Sequence, residues 1–211
     1  MSPIALSGVD RETRERLTQY AQAVGARVLS MSGEVVSVEF PDWPSVLDWC
    51  TYAALDAAER RPELVRLALE LGTPSACLSY VQRSFEWRDE PGERLSYPTS
   101  TLARGWGDCD DLSVLLCSLI SAIGFQSAVV GLTLDGEPVH AVVGLRASST
   151  SPDHHGRDGD AGGWWWLDPS EAGPPRRWRD HPLDADGRPG LRGIIAPLVV
   201  PVPRWPPVGR A

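Results

Sequence analysis

The segment from Gly105 to Gly124 constrains this chain most. Leu112, Leu115, Leu116, Leu119 and Ile120 recur at helical spacing, which predicts a helix starting after Gly107-Asp108 and stopping at Gly124. It is the clearest helical pattern in the chain. It opens on Gly105-Trp106-Gly107-Asp108-Cys109-Asp110-Asp111, so a cysteine falls in its first turn. With 211 residues the chain can form one domain, or one domain with an appendage, and can bury a core without disulfides or a structural metal.

The flanking patterns supply partners for that helix. Residues 10–24 read as an amphipathic helix capped by Asp10, and 27–31 and 34–40 as two strands around Ser32-Gly33. Asp42 with Pro44 opens a second helix, 62–71 forms a third ending at Gly72, and Thr73-Pro74 starts a fourth running to about Trp87. Residues 88–107, with Pro91, Gly92, Pro98, Gly105 and Gly107, read as a loop. Strands follow at 127–134, 139–145 and 164–167, with a Ser-, Asp-, Gly- and His-rich loop over 147–163. The remainder is proline-rich and reads as a wrapping or partly disordered tail.

Acidic residues outnumber basic ones 28 to 20, for a formal charge of -8, which argues against a general nucleic-acid binder. The short Arg176-Arg177-Trp178-Arg179 cluster does not change that. No apolar run approaches membrane-spanning length, and Met1 to Asp10 lacks the pattern of a signal peptide. Cys50, Cys77, Cys109 and Cys117 form no C-x-x-C pair, so neither a zinc ribbon nor a disulfide framework is expected, and a reduced, cytoplasmic protein is. His154-His155 reads as part of a solvated loop, and no glycine-rich phosphate loop is present. No metal and no cofactor is therefore expected.

Three segments carry chemistry. A helix start leaves backbone N–H groups free, and these, with the helix dipole, favour a thiolate at Cys109 and offer donors to an oxyanion beside it. Gly105 and Gly107 allow a sharp turn and leave room for a substrate. Trp106 is placed to wall a cleft or to donate its indole N–H, and Asp108 stands beside it as a second candidate. His140, at a strand start after the turn ending in Pro138, suits a general base. Asp168, ending the strand Trp165-Trp166-Leu167 before Pro169, suits a carboxylate that fixes the tautomer of His140. The tryptophan run alternates faces, which makes Trp166 a cleft candidate. Asp110 and Asp111 would oppose a neighbouring thiolate and read as structural anchors of the preceding loop; Cys50, Cys77 and Cys117 read as core.

Cysteine, histidine and aspartate in this order on helix, strand and strand resemble the transglutaminase-like superfamily, a branch of the papain-like cysteine enzymes. The resemblance covers about 73–169 and is carried by Gly107-Asp108-Cys109-Asp110-Asp111, by His140 and by Leu167-Asp168-Pro169. Many relatives have His-Ala-Trp where this chain has His140-Ala141-Val142, and the 147–163 insertion is long. The resemblance implies an α+β fold, an antiparallel sheet packed on helices with the nucleophile at the N-terminus of a central helix. It further implies Cys109 as nucleophile, His140 as acid and base, Asp168 as orienting acid, and a peptide or protein substrate. Cysteine-dependent acyl transfer on an amide or peptide bond follows, with hydrolysis favoured. An amide-forming transglutaminase, a biosynthetic peptide-processing enzyme and a non-catalytic assembly module remain open. Residues 1–72, a helix–hairpin–helix segment, form a candidate docking unit beside the 73–169 core, and the 170–211 tail is a second candidate contact for a protein partner.

Overall fold

The computed structural model describes residues 3–32, 35–90, 94–134, 137–146, 164–171, 176–177 and 193–195. They run β1 (Ile4–Ser7), α1 (Arg11–Ala23), β2 (Arg27–Ser32), β3 (Val35–Glu39), α2 (Trp43–Arg60), α3 (Pro62–Leu71), α4 (Pro74–Ser84), β4 (Glu86–Trp87) and β5 (Arg94–Ser96). Then come α5 (Pro98–Arg104), β6 (Trp106–Gly107), α6 (Cys109–Ala122), β7 (Ser127–Leu134), β8 (Glu137–Arg146), β9 (Trp164–Leu167), β10 (Arg176–Arg177) and β11 (Gly193–Ile195). The class is α+β, as expected.

Helix α6 is the centre. Every residue from Asp111 to Ala122 is buried, so the leucine stripe is only one of its packed faces. Another carries small hydroxyls that find local partners: Ser113 Oγ donates to the Ala141 carbonyl at 3.0 Å, Ser118 Oγ to the Leu115 carbonyl at 2.7 Å, and Ser121 Oγ lies 2.9 Å from Ser127 Oγ. Helices α2, α3, α4 and α5 and strands β7 and β8 all pack on it.

The five-stranded sheet has the order β10-β9-β8-β7-β11 and is antiparallel throughout. One face meets the helices through Val129, Ala141, Val143 and Leu167. The other carries a small cluster of Val130, Leu132, Val142 and Trp166. Residues 176–177 and 193–195 thus place one short strand on each edge of this sheet.

A second sheet, β2-β3-β1-β5, brings the first forty residues to the segment before the cysteine. Strand β1 pairs with β3 antiparallel and with β5 parallel. The hydrophobic core runs across residue 72 without a break: Leu6, Leu17, Val38 and Trp49 belong to the same cluster as Leu115, Val143 and Leu167. Polar contacts cross the same boundary. Tyr97 Oη donates to Asp56 at 2.8 Å, and Thr51 Oγ1 accepts from the Val129 N–H at 3.0 Å; Arg16 reaches the same buried Asp56 carboxylate at 2.7 Å from its own side of the boundary.

Two expectations require correction. Residues 88–107 are not simply a loop: they hold β5, α5 and β6. Pro98 is the first residue of α5 and Gly105 its left-handed cap at φ +73, so the breakers of the sequence mark the two ends of one short helix. Strand β1 was not expected, and the fourth helix stops at Ser84 rather than near Trp87, because Glu86–Trp87 pairs with Trp106–Gly107. The 147–163 loop with His154-His155, Trp178 and Arg179 of the basic cluster, and the tail outside β10 and β11 and beyond Glu171 lie outside the described residues. Among the described residues no helix is long and apolar enough to cross a membrane.

Gly8 closes β1 at φ +74, where a Cβ would come within 1.8 Å of Ser100 Oγ on α5. Gly8→Ala is expected to lower unfolding free energy by about 2–5 kcal/mol, from left-handed strain and overpacking together. Adding Ser100→Gly should recover the packing part but not the backbone part. Urea denaturation of both variants measures this.

Candidate active site

The cysteine end of α6 is fixed by its own acids. Asp108 is the N-cap, its carboxylate accepting from the Asp111 N–H at 3.3 Å. Asp111 is fully buried, accepts from the Ser96 N–H at 2.5 Å and pairs with Arg104. It therefore anchors β5 and α5 to α6, the anchoring role expected of it. Arg104 goes further: its Nε donates to the Trp106 carbonyl at 2.8 Å, its Nη1 lies 2.8 Å from Glu90, and its guanidinium sits 4.1 Å from the Trp106 ring centroid. Arg88 approaches the same ring at 5.3 Å. The Trp106 ring is thus held by two guanidinium groups, immediately before Gly107-Asp108-Cys109.

Gly107 serves packing rather than substrate access. A Cβ there would meet the Asp111 Cβ at 2.7 Å, so the space expected for a substrate is filled by this side chain. Gly105 does turn the backbone, at φ +73. Both carbonyls also hold β4, accepting from the Glu86 and Arg88 N–H groups at 3.0 Å each.

The electrostatics sort these acids. Burial, the Asp108 carboxylate and Glu90 push Asp111 up to about 7, against the Ser96 N–H and Arg104. Burial and the neighbouring Asp108 push the Asp110 carboxyl well above the usual carboxylate range. Burial raises Cys77 and Cys117 to about 11 and Cys50 well above an ordinary thiol, consistent with core roles. Of the four cysteines, Cys109 alone is partly exposed.

His140 lies on β8 opposite Leu132, next to the register shift between Leu132 and Thr133. The neighbouring Ala141 carbonyl accepts from Ser113, one turn along α6 from Cys109. That bond indexes the histidine strand to the cysteine helix. His140 Nε2 lies 2.8 Å from Asp168 Oδ2 and 3.3 Å from Ser170 Oγ. Burial disfavours the imidazolium, but the bond to Asp168 and the influence of the Cys109 side chain outweigh it and raise the pKa from 6.5 to about 10. Burial would raise Asp168, yet His140 and the Ser170 donors hold its carboxyl below the usual range.

Cys109, His140 and Asp168 are therefore brought together, with Asp108 capping the same helix and Trp106 beside it. Trp166 is not part of this group. It packs on Val130, Leu132 and Val142 and stands opposite Gly144, four residues along β8 from His140, about 13 Å away along a strand. Its neighbour Trp165 packs on the main core. Arg104, Ser113, Ser170 and Gln82 went unremarked in the sequence. For Ser170 the signal was available: Asp-Pro-Ser is a pattern in which a serine two residues on bonds back to the carboxylate.

No family model and no curated protein sequence matches the chain. Several solved structures are similar to it. A "putative protease" of Parabacteroides distasonis is 14% identical with a TM-score of 0.46, the match covering 69% of this chain and 30% of that one. LapG of Legionella pneumophila in its calcium-bound form is 16% identical with a TM-score of 0.39, over 84% of this chain and 80% of that one. A "putative cysteine protease" of Cytophaga hutchinsonii is 14% identical with a TM-score of 0.39, over 70% and 62%. This chain thus spans under a third of the Parabacteroides protein. The likeness is one of chain course; what the site can do follows from its own side chains.

Arg104→Met is expected to destabilise the fold by about 3–5 kcal/mol, because it leaves Asp111 buried without its cation. Arg104→Met with Asp111→Leu should recover most of that loss. Denaturant unfolding of the single and double variants tests the pairing.

Proposed function

We propose that this protein is a cysteine-dependent acyl-transfer enzyme acting on an amide or peptide bond, with a papain- or transglutaminase-like core and hydrolysis as its favoured outcome. The observation that carries the reading is the convergence of Cys109, at the first position of α6, with an imidazole whose protonation its side chain influences and whose Nε2 lies 2.8 Å from Asp168. In this reading Cys109 Sγ attacks the substrate carbonyl carbon and forms a tetrahedral oxyanion. The Cys109 N–H, which has no partner within its own helix, points to where an oxyanion would gather charge. His140 gives its proton to the leaving amine, the carbon–nitrogen bond breaks, and a thioester remains on Cys109. The now neutral His140 takes a proton from water, whose oxygen attacks the thioester, and the thiolate returns. Asp168 keeps the imidazole oriented and stabilises its charged form.

Water as acceptor is favoured by the partial exposure of Cys109, which leaves the thioester open to solvent. An amine in its place would give a new amide by the same steps. A protonated imidazole faces the nucleophile at neutral pH, since His140 holds its proton up to about 10.

Cys109→Ala should abolish turnover of amide and ester substrates. His140→Ala should slow iodoacetamide labelling of Cys109 at neutral pH by about tenfold or more, read site by site by mass spectrometry. Labelling of Cys109 no faster than that of the buried cysteines, and indifferent to His140, would sink the proposal.

The alkaline limb of kcat/KM is expected near pH 10, where His140 loses the proton it must give to the leaving group, and not near 6.5. The same raised pKa sets a stability window. The folded imidazole holds its proton more tightly than the unfolded one, so its contribution is full below about pH 6.5 and is lost as pH rises through about 10. His140→Ala should flatten the urea midpoint across that interval.

A further inference from the structure

We propose that Ser170 and Gln82 are positioning residues that present Asp168 to His140, Ser170 by occupying one carboxylate oxygen and Gln82 by clasping the turn that carries both. The inference rests on the reading of Cys109, His140 and Asp168 given above.

Asp168 Oδ1 accepts from the Ser170 N–H at 2.9 Å and from Ser170 Oγ at 2.7 Å, while Oδ2 faces His140 Nε2 at 2.8 Å. Two donors on one oxygen fix the carboxylate torsion, because any rotation breaks both bonds. Pro169 between them restricts the backbone that closes this turn. The Ser170 hydroxyl, its hydrogen committed to Oδ1, turns a lone pair toward His140 Nε2 at 3.3 Å. In the neutral ring Nε2 is thereby the nitrogen that keeps a hydrogen, shared between Asp168 and Ser170, and Nδ1 is the one that gains or loses the second proton. The tautomer follows from this network of partners.

Gln82 fixes the turn itself. From α4 its Nε2 donates to the Asp168 carbonyl at 2.8 Å and to the Glu171 carbonyl at 2.5 Å. Helix α4 packs on α6, so the clasp refers the carboxylate to the helix that carries Cys109. No strand of the sheet does this: β9 ends at Leu167, and Asp168 lies beyond its last paired residue. The charged or titratable groups that bear on Asp168 are His140 from β8 and, through it, Cys109 from α6; Gln82 and Ser170 are neutral and act by geometry.

The test is an NMR titration of the His140 ring nitrogens in the full chain, run beside kcat/KM on a small activated amide, for wild type, Ser170→Ala, Ser170→Thr, Gln82→Ala and Gln82→Met. Ser170→Ala should move the acid-side inflection, which reports Asp168, up by about one pH unit and lower kcat/KM about tenfold at unchanged KM. Ser170→Thr keeps the hydroxyl and should restore both. Gln82→Ala and Gln82→Met should broaden or split the Nε2–H signal and lower kcat about threefold to tenfold. Folded Ser170→Ala and Gln82 variants with wild-type inflection, tautomer and kcat would overturn the inference. The ring titration needs no turnover. If wild-type Cys109 proves unreactive, the catalytic reading falls, and the titration still decides whether Ser170 and Gln82 hold the Asp168–His140 pair.

Discussion

Asp111 has no solvent contact, and its two oxygens are taken by the Ser96 N–H and the Arg104 guanidinium. Removing one partner from a buried carboxylate costs several kcal/mol, so the pieces that supply them must be in place whenever α6 is. Strand β5, helix α5 and helix α6 consequently meet at one atom group. Gly107 has no side chain because Asp111 fills that space, and Trp106 is fixed because Arg104, already committed to Asp111, also holds its carbonyl and its ring. The short segment leading to Cys109 is indexed from the inside.

This arrangement also resolves a conflict at the thiol. Three carboxyl groups within the first turn of α6 would together oppose a thiolate. Each is accounted for: Asp108 caps the helix, the Asp110 carboxyl is pushed well above the usual range by burial and by Asp108, and Asp111 faces Arg104. The charge left to answer Cys109 is the imidazole of His140, itself steadied by Asp168. The acids shape the helix end, and the histidine sets its polarity.

Much of this was legible in the residues. Caps and prolines marked α1, α2, α3 and α4 at their starts, because Asp10, Asp42 and Thr73 bond their own helix N–H groups whatever surrounds them. Alternating strands and the order of cysteine, histidine and aspartate are likewise local patterns. What escaped depends on distant partners. Strand β1 is four residues long and acquires its identity from β3 and β5; β5 is three residues long and pairs with β1. Arg104 offers no pattern at all, since its four contacts converge from Glu90, Trp106 and Asp111 only after folding. Trp166 shares the histidine's face of the sheet but stands opposite Gly144, four residues along β8 from His140, and alternation along a strand gives the face without that distance.

The parallel pairing of Ala5, Leu6 and Ser7 with Arg94, Leu95 and Ser96 has a temporal meaning. Strands β1, β2 and β3 lie within the first thirty-nine residues and can associate as soon as these leave the ribosome. The outer edge of β1 then waits, unpaired, until fifty-seven further residues have been synthesised to complete β5. Long-range pairing of this kind is slow, and an open edge is a place where chains can add to one another. The cysteine follows β5 by thirteen residues, but its histidine and aspartate come later still, on β8 and after β9. Synthesis in this order delivers Cys109 before His140 and Asp168, and before the strands β7 and β8 that cover its helix.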